Sequence, residues 1–302
     1  MATKAEVDKR PDAGARWIVA GVDGSANAMV ALEWAATQAQ RTGAVLEIVT
    51  AFGRDYVFLT PSEVNRVMDT DIDDATVRVK TIAPEVAISS RTYAGSPEAV
   101  LLEESAGADL LVLGSRGRGG FAGLLLGSVG RNCVHRAQCP VLIVGQHTHL
   151  VEPKETGTRP PSSTHRIVVG VDGSPSSLAA LDWAITQAQL TGAVLDVLMT
   201  WHRPYGYGWS PVRTHHDPGH ENEKRLHELL KHLRGTRPNV SIQPIVTEGR
   251  PAPLLVNSSQ GADLLVVGSR GHGEFSGMLL GSVSEHCVTH AACPVLVVRG
   301  AK

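Results

Sequence analysis

The sequence predicts an α/β protein made of two tandem copies of a doubly wound, five-stranded parallel sheet. Apolar runs typical of buried strands alternate along the chain with segments typical of helices, which is the pattern of parallel sheets with crossover helices. The chain also repeats itself, because residues 31–47 match 180–196 at 13 of 17 positions and 107–116 match 261–270 at 9 of 10. Such self-similarity indicates two copies of one structural unit.

The length of 302 residues accommodates two domains of ordinary size. The offset between the copies is 149 residues in the first match and 154 in the second, so the second copy carries a five-residue insertion between them. Between the copies, the chain is rich in proline, serine, threonine and charge, which is typical of a linker. We expect a flexible N-terminus at 1–15, domains at 16–146 and 165–302, and a linker at 147–164.

The first half opens with a short apolar run at 17–22 that predicts the first strand. Ser25 is placed to cap a helix that runs to residue 42, where Gly43 follows as a stop signal. Ser174-Pro175 in the second half is a capping serine before a proline at the first helical position. Further strands are predicted at 44–51, 86–93, 110–113 and 141–144, and further helices at 63–80, 97–106 and 128–136.

The composition excludes several classes of protein. With 42% hydrophobic residues, 19% charged residues and a net charge of −2, nothing favours a nucleic acid or an anionic membrane as partner. The charged N-terminus lacks the apolar core of a signal peptide, and no run reaches the roughly 18 apolar residues of a spanning helix. We therefore expect a cytoplasmic protein.

The four cysteines occupy matched positions in the two halves. A zinc site would have to add His135 in one half and His290 in the other, but these histidines do not correspond and the spacing fits no common zinc motif. We favour buried, reduced thiols over metal ligands or disulfides and expect no metal site. The cysteines are Cys133, Cys139, Cys287 and Cys293.

A glycine-rich motif occurs once in each half. Gly114-Ser-Arg-Gly117 is followed after nine residues by Gly127-Ser128, and Gly268-Ser-Arg-Gly271 is followed after nine residues by Gly281-Ser282. Each motif joins an apolar strand to a predicted helix. Backbone N–H groups converge at such a turn and the helix dipole favours an anion, so each motif predicts a phosphate site.

An aspartate should face each glycine-rich motif. With strands in the order 3-2-1-4-5, ligands bind where the order reverses, between the ends of strands one and four. Asp23 and Asp172 end strand one in the two halves, where they could hold ribose hydroxyls or a metal. Alone, each Asp-Gly-Ser would indicate only a turn and a helix cap, and Arg116 and Arg270 are either phosphate partners or solvated loop charges. Together, the motifs favour two nucleotide sites.

Catalytic motifs are missing from these loops. No Lys-Ser/Thr follows the glycines as in a Walker A motif, and no G-x-G-x-x-G closes the first strand. No Gly-x-Ser-x-Gly elbow is present either, and no histidine is matched between the halves in a position suited to a catalytic triad. The sequence therefore predicts binding, with no catalytic residue.

The pattern Gly-x-x-Gly-x9-Gly-Ser, with an aspartate after strand one and Cys-Pro-Val before strand five, resembles the universal stress protein family in its tandem-domain form. This resemblance implies an adenine nucleotide α-hydrolase-like fold, ATP as ligand together with Mg²⁺, and a homodimer with a protein partner of unknown identity. It also implies the residues that contact the nucleotide: Gly21, Val22, Asp23, Thr50, Gly114, Arg116, Gly117, Gly127, Ser128 and Val129 in the first half, and Gly170, Val171, Asp172, Met199, Gly268, Arg270, Gly271, Gly281, Ser282 and Val283 in the second.

The two sites are not expected to be equal. Arg118 and Gly120 of the first loop correspond to His272 and Glu274 of the second, so the second loop loses a positive charge and gains a negative one. We expect weaker ATP binding there. The second half also has a histidine-rich stretch, which we interpret as a solvated helix and loop rather than a metal site: His202, His215, His216, His220, His227 and His232.

Three functions are compatible with these features. The favoured one is an ATP-binding regulatory stress-response protein that changes conformation or partner preference with nucleotide. The second is a slow Mg²⁺-dependent ATPase or phosphotransferase, and the third is a protein-interaction scaffold with vestigial nucleotide loops.

Overall fold

The computed structural model describes residues 14–53, 61–118, 125–145, 165–202, 218–236, 239–272 and 280–300. The chain divides into two compact units, Met1–Glu152 (unit 1) and Pro153–Lys302 (unit 2). The linker predicted at 147–164 lies outside the described residues. No helix in the described segments is long and apolar enough to cross a lipid bilayer.

Unit 1 is a parallel sheet with helices between its strands. Its described strands pair in the order β3-β2-β1-β4-β5, which confirms the predicted order. Because β1 and β4 are neighbours, their carboxyl ends lie side by side. The elements are β1 (Trp17–Gly21), α1 (Ala26–Thr42), β2 (Val45–Phe52), α2 (Pro61–Ile82), β3 (Ile88–Ala94), α3 (Pro97–Glu104), β4 (Leu110–Gly114), α4 (Ser128–Arg136) and β5 (Val141–Val144).

Unit 2 repeats this arrangement. Its described strands are also parallel and pair in the order β8-β7-β6-β9-β10. Here β6 and β9 are the neighbours that correspond to β1 and β4. The elements are β6 (Arg166–Gly170), α5 (Pro175–Thr191), β7 (Val194–Trp201), α6 (Pro218–Thr236), β8 (Ile242–Glu248), α7 (Pro251–Ser258), β9 (Leu264–Gly268), α8 (Ser282–His290) and β10 (Val295–Val298).

Local signals fix the helix that follows the first strand of each unit. The Ser25 hydroxyl accepts a hydrogen bond from Ala28 N at 3.3 Å, and Gly43 ends α1 at a φ of 67°. In α5 the Ser174 hydroxyl accepts from Ser177 N, also at 3.3 Å, and Gly192 has a φ of 68°. A serine cap and a left-handed glycine at these two ends are what the sequence predicts.

Two predicted boundaries differ from the structure because turns intervene. The third strand begins at Ile88 rather than Val86, since Val86 N donates to Ala83 O at 3.1 Å within a turn. Helix α3 ends at Glu104 rather than Ala106, since Ala106 N donates to Glu103 O at 3.2 Å and the chain turns toward β4.

The four cysteines are buried and form no disulfide. Burial raises the thiol pKa of Cys133, Cys287 and Cys293 to about 12. A thiol with so high a pKa carries almost no thiolate at neutral pH and is chemically inert. The structure agrees with the expectation that the four cysteines are buried, and their reduced state stays a prediction.

The two units neutralise buried acids with arginines from different strands. In unit 1, Arg91 of β3 lies 3.2 Å from Glu47 of β2 and 3.2 Å from Glu104 of α3, and both carboxylates are buried. In unit 2, Asp196 occupies the position of Glu47, and its partner is Arg166 of β6 at 2.9 Å. The buried carboxylate on the second strand is therefore neutralised by an arginine of the edge strand in unit 1 and by an arginine of the central strand in unit 2.

Candidate nucleotide-binding site

The carboxylate of Asp23 ties together the two loops that leave β1 and β4. Its Oδ1 accepts a hydrogen bond from Ser25 N at 3.0 Å, and its Oδ2 accepts one from Arg118 N at 2.9 Å. The Ser25 hydroxyl also donates to Arg116 O at 3.3 Å. The strand-one aspartate and the glycine-rich loop, predicted to be neighbours, are brought together.

Asp172 makes the same connections in unit 2. Its Oδ1 accepts from Ser174 N at 2.9 Å and its Oδ2 from His272 N at 3.1 Å. Burial alone would raise the pKa of Asp172, but hydrogen bonds from Ser174, Ser177 and His272 outweigh it and hold the pKa below its usual value. Asp172 is therefore a carboxylate anion at neutral pH.

The second glycine of each motif leaves room for this carboxylate. A Cβ on Gly117 would overlap Asp23 Oδ2, and a Cβ on Gly271 would lie 2.5 Å from Asp172 Oδ2. Only a residue without a side chain allows the loop to pass so close to the acid. Glycine at these two positions is required by the contact between the loops.

The first glycine of each motif has a packing role. A Cβ on Gly114 would lie 2.8 Å from Ala28 N, and one on Gly268 would lie 2.7 Å from Ser177 N. These nitrogens belong to the first turns of α1 and α5. The absence of a side chain therefore lets each helix lie directly against the end of its neighbouring strand.

The third part of each motif begins a helix. Gly127 and Gly281 precede α4 and α8, and their N–H groups donate to Ser115 O at 2.7 Å and Ser269 O at 2.8 Å. The first turn of a helix leaves its N–H groups without partners inside the helix. The amides available to a ligand therefore start at Ser128 and Ser282, one residue beyond each glycine.

A cavity of about 560 Å³ opens at the carboxyl ends of β6 and β9 in unit 2. Its size lies within the range of small-molecule sites. Nine of the ten residues predicted for this half line it: Gly170, Val171, Asp172, Gly268, Arg270, Gly271, Gly281, Ser282 and Val283.

Met199 is the predicted residue that does not line the cavity. Its side chain is buried, and its neighbours Leu198 and Thr200 line the cavity instead. Thr50, the corresponding residue of unit 1, is also fully buried within β2. Side chains alternate between the faces of a strand, so a shift of one residue exchanges the buried face for the lining one.

The structure adds lining residues that the sequence did not indicate. Ser177 lies in the first turn of α5, and its hydroxyl accepts from Asp172 N at 3.3 Å and Gly173 N at 3.1 Å. His202 follows β7, and Leu255 belongs to α7. Together with Val171, Leu198 and Val267, the Leu255 side chain gives the cavity an apolar component beside its glycine and serine backbone.

A guanidinium lies beside the same left-handed glycine in both units, but it comes from different elements. A Cβ on Gly24 would overlap the guanidinium of Arg118, which follows β4. A Cβ on Gly173 would lie 2.6 Å from Nη2 of Arg225, which belongs to α6. In unit 2 the loop has His272 in place of the arginine of unit 1, but Arg225 of the helix supplies a positive charge beside the corresponding glycine.

The two guanidinium groups differ in their partners. Arg118 Nη2 lies 2.5 Å from Oδ1 of Asp71, a buried carboxylate of α2. Arg225 is exposed and has no acidic partner among the residues that the structure describes. Glu274, the acidic residue expected to weaken the second site, lies outside those residues.

The histidine-rich stretch does not form a cluster in the described part of the chain. His202 lines the cavity, whereas His220 and His227 lie exposed on α6, and His215 and His216 fall outside the described residues. No group of three His, Cys, Asp or Glu in the described segments could hold a metal ion.

Comparison with known proteins agrees with this duplicated arrangement. The model of the universal stress protein family matches residues 15–145 and again residues 163–299. The chain belongs to the universal stress protein family. Two copies of the family's domain thus account for nearly all of this universal stress protein.

Its relatives include universal stress protein Rv1996 of Mycobacterium tuberculosis, 32% identical over 309 residues that cover 93% of this chain and 94% of the relative. A universal stress protein from Archaeoglobus fulgidus has the same fold, with a TM-score of 0.68 and 18% identity over 95% of this chain and 97% of that chain. A universal stress protein solved in complex with cAMP is 30% identical over 44% of this chain and 98% of its own, with a TM-score of 0.36.

Proposed function

We propose that each unit of this universal stress protein binds one adenine nucleotide, ATP, and that the protein acts through nucleotide-dependent conformation or partner binding in a stress response. One observation carries the proposal. The strand-one aspartate accepts a backbone hydrogen bond from the glycine-rich loop in both units, from Arg118 N to Asp23 and from His272 N to Asp172. A carboxylate suited to ribose hydroxyls and a loop suited to phosphates are therefore held as one site.

The cavity of unit 2 has the chemistry that this ligand requires. The apolar side chains of Val171, Leu198 and Leu255 suit the faces of a purine. The first turn of α8, beginning at Ser282, offers backbone N–H groups and the positive end of a helix dipole to phosphates, and the glycines of the loop allow a ligand to approach closely. Asp172, ionised and half-buried, is the acceptor for ribose hydroxyls.

Magnesium would reach the site with the triphosphate. In nucleotide sites Mg²⁺ is held mainly by phosphates and water, with one or two carboxylates from the protein. Asp23 and Asp172 are the carboxylates that would take this part in the alternative arrangement, in which the metal rather than the ribose lies beside them. We extend the proposal to the residues predicted from the sequence, with Met199 contributing its backbone, and in unit 2 we add the side chains of Leu198 and Thr200.

The proposal is binding rather than catalysis. Each oxygen of Asp23 and Asp172 already accepts a hydrogen bond from a backbone N–H. In unit 2 these bonds hold the pKa of Asp172 below its usual value, so its carboxylate is poorly suited to act as a general base that activates water. Steady phosphate release by the wild type, absent from a Gly117→Ala/Gly271→Ala variant, would instead favour the slow ATPase.

We also propose that 16–146 and 165–302 are the functional domains and that the protein forms a homodimer. Light scattering of the full chain with and without ATP would measure the oligomeric state directly.

Mass spectrometry of the ligand released on denaturation tests the central proposal. Protein purified without added nucleotide should release ATP or ADP, and added ATP should raise the melting temperature through preferential binding to the folded state. The Gly117→Ala/Gly271→Ala variant should do neither. If the wild type releases no nucleotide and is not stabilised by ATP, the protein is a scaffold with vestigial loops.

A further inference from the structure

Two imidazole rings lie face to face on the surface of α8. His286 and His290 are one helical turn apart, with ring centroids 4.2 Å apart and an angle of 23° between the ring planes. Both side chains are exposed. Residues four apart share one face of a helix, so the helix itself holds the two rings together.

One ring of the pair has a defined tautomer. His290 Nδ1 lies 3.0 Å from the carbonyl oxygen of His286. Because a carbonyl oxygen only accepts, Nδ1 carries the proton and Nε2 of the neutral ring keeps its lone pair. Metal-binding histidines commonly donate one ring N–H to a backbone carbonyl and ligate with the other nitrogen. Nε2 of His290 is therefore the ring nitrogen that can bind a metal ion.

The spacing and the place on the helix both suit a cation. Two nitrogens on a tetrahedral ion, with bonds of 2.0–2.1 Å, are about 3.4 Å apart. The two rings lie face to face, with centroids 4.2 Å apart, so binding an ion requires side-chain rotations that turn their ligating nitrogens toward a common point. His290 is also the last residue of α8, where the negative end of the helix dipole favours positive charge.

We propose that His286 and His290 form a bidentate site for a divalent transition-metal ion of the Zn²⁺, Ni²⁺ or Cu²⁺ class. Imidazole is a preferred ligand of these ions, and water completes their coordination on an exposed surface. The corresponding positions of α4 in unit 1 are Asn132 and Arg136, so the site belongs to unit 2 alone. It is independent of the proposed nucleotide function.

Isothermal titration of the full chain with ZnCl₂, without nucleotide, tests this site. The variants are His286→Asn and His290→Arg, which copy the residues of α4 and are therefore compatible with the helix. Wild type should bind an ion that each variant loses, with affinity falling more than about tenfold because a chelate becomes a single ligand. The double variant, which has neither imidazole, should bind at least as weakly as either single one.

His227→Asn is the matched control. His227 is exposed on α6 and its Nδ1 lies 3.2 Å from Glu223 O, but residue 223 supplies no second imidazole. This variant should titrate like wild type. Zn²⁺ should also raise the melting temperature of wild type and of His227→Asn, but not of His286→Asn. Equal Zn²⁺ affinity in wild type and the double variant, or an equal loss in His227→Asn, overturns the proposal.

Discussion

Arg118 Nη2 lies 2.5 Å from Asp71 Oδ1, so the guanidinium of the first glycine-rich loop is already paired with a carboxylate of α2. Asp71 is buried, and removing its partner would leave a buried charge uncompensated. Arg118 is therefore already paired within the protein, whereas Arg225 beside Gly173 has no acidic partner in the described part of the chain and is positioned to meet an anion.

Replacing Arg225 should weaken the second nucleotide site specifically. We expect Arg225→Ala to lower ATP affinity there about tenfold, the effect of one charge-assisted contact of roughly 1.4 kcal/mol. Arg118→Ala should change the first site by less, since Asp71 already holds that guanidinium. Each site can be titrated alone in a background where the other carries Gly117→Ala or Gly271→Ala.

The relative affinity of the wild-type sites follows from the same charges. The loop sequences alone predict a weaker second site, because His272 and Glu274 replace Arg118 and Gly120. Arg225 adds a positive charge that this comparison omits. The difference in ATP affinity between the two sites should therefore be larger in Arg225→Ala than in the wild type. If Arg225→Ala leaves the second site unchanged, the guanidinium does not reach the nucleotide.

Gly271→Ala should abolish nucleotide binding at the second site while the unit stays folded. The new Cβ would lie 2.5 Å from Asp172 Oδ2, which forces the loop away from the carboxylate. We expect ATP affinity to fall more than about tenfold, a loss of at least about 1.4 kcal/mol, measured by calorimetric titration. Gly53→Ala, whose Cβ would find its nearest neighbour at 3.5 Å, is the control and should bind like wild type.

Arg91→Met should destabilise unit 1 by about 3 kcal/mol, because it leaves the buried carboxylates of Glu47 and Glu104 without their arginine. Arg78→Met is the control, since Arg78 pairs with Glu33 at 2.5 Å on the surface and should cost less than about 1 kcal/mol. Scanning calorimetry of both variants gives the comparison. Equal losses of stability in the two variants would mean that the buried ion pairs of Arg91 contribute no more to the free energy of unfolding than a surface pair does.

Asp172 should make unit 2 sensitive to acid. Its pKa is lowered in the folded state, so its stabilising contribution is complete above the unfolded pKa of about 3.9 and disappears as pH falls through the folded pKa. The stability gap between wild type and Asp172→Asn should therefore be constant near pH 7 and shrink below about pH 4. Urea unfolding at several pH values measures it, with the exposed Asp182→Asn as charge control. If the stability difference between wild type and Asp172→Asn stays constant down to pH 3, the pKa of Asp172 in the folded state does not contribute to stability as predicted.

The cysteines should be silent toward thiol reagents in the native protein. Burial raises the pKa of Cys133, Cys287 and Cys293 to about 12, and Cys139 is also buried. Ellman's reagent should therefore detect almost no thiol before denaturation and all four afterwards. Rapid reaction of any cysteine in the native state would show local opening around α4 or α8.

The sequence predicts most of this fold because its signals are local. Ser25 and Gly43 mark both ends of α1, and the repeat supplies a second reading of each element. The sequence also predicts that Asp23 and Asp172 lie beside the glycine-rich loops, because the predicted strand order places the ends of strands one and four next to each other. Met199 stays a prediction, because its expected contact with adenine is through the backbone. The side chains that line the cavity at this strand are those of its neighbours Leu198 and Thr200, because side chains alternate between the two faces of a strand.

Arg225 could not be predicted from the glycine-rich motifs. It lies in a charged helix far from Gly173 along the chain, and nothing in its local sequence distinguishes it from its exposed neighbours. Only the packing of α6 brings it to that glycine. Ser177 could not be predicted as a lining residue either. Unit 1 has Ala28 at the corresponding position, so comparison of the two halves does not indicate a hydroxyl there.

Tandem repeats risk exchanging equivalent strands while they fold, which traps misassembled chains. The arginines inside the two sheets oppose such exchange. If β6 took the place of β1, unit 2 would lose Arg166 and leave Asp196 buried without a cation. If β8 replaced β3, Ile245 would stand where Arg91 serves Glu47 and Glu104. The buried acids of each half are thus neutralised only when that half is built from its own strands, which favours correct pairing over exchange.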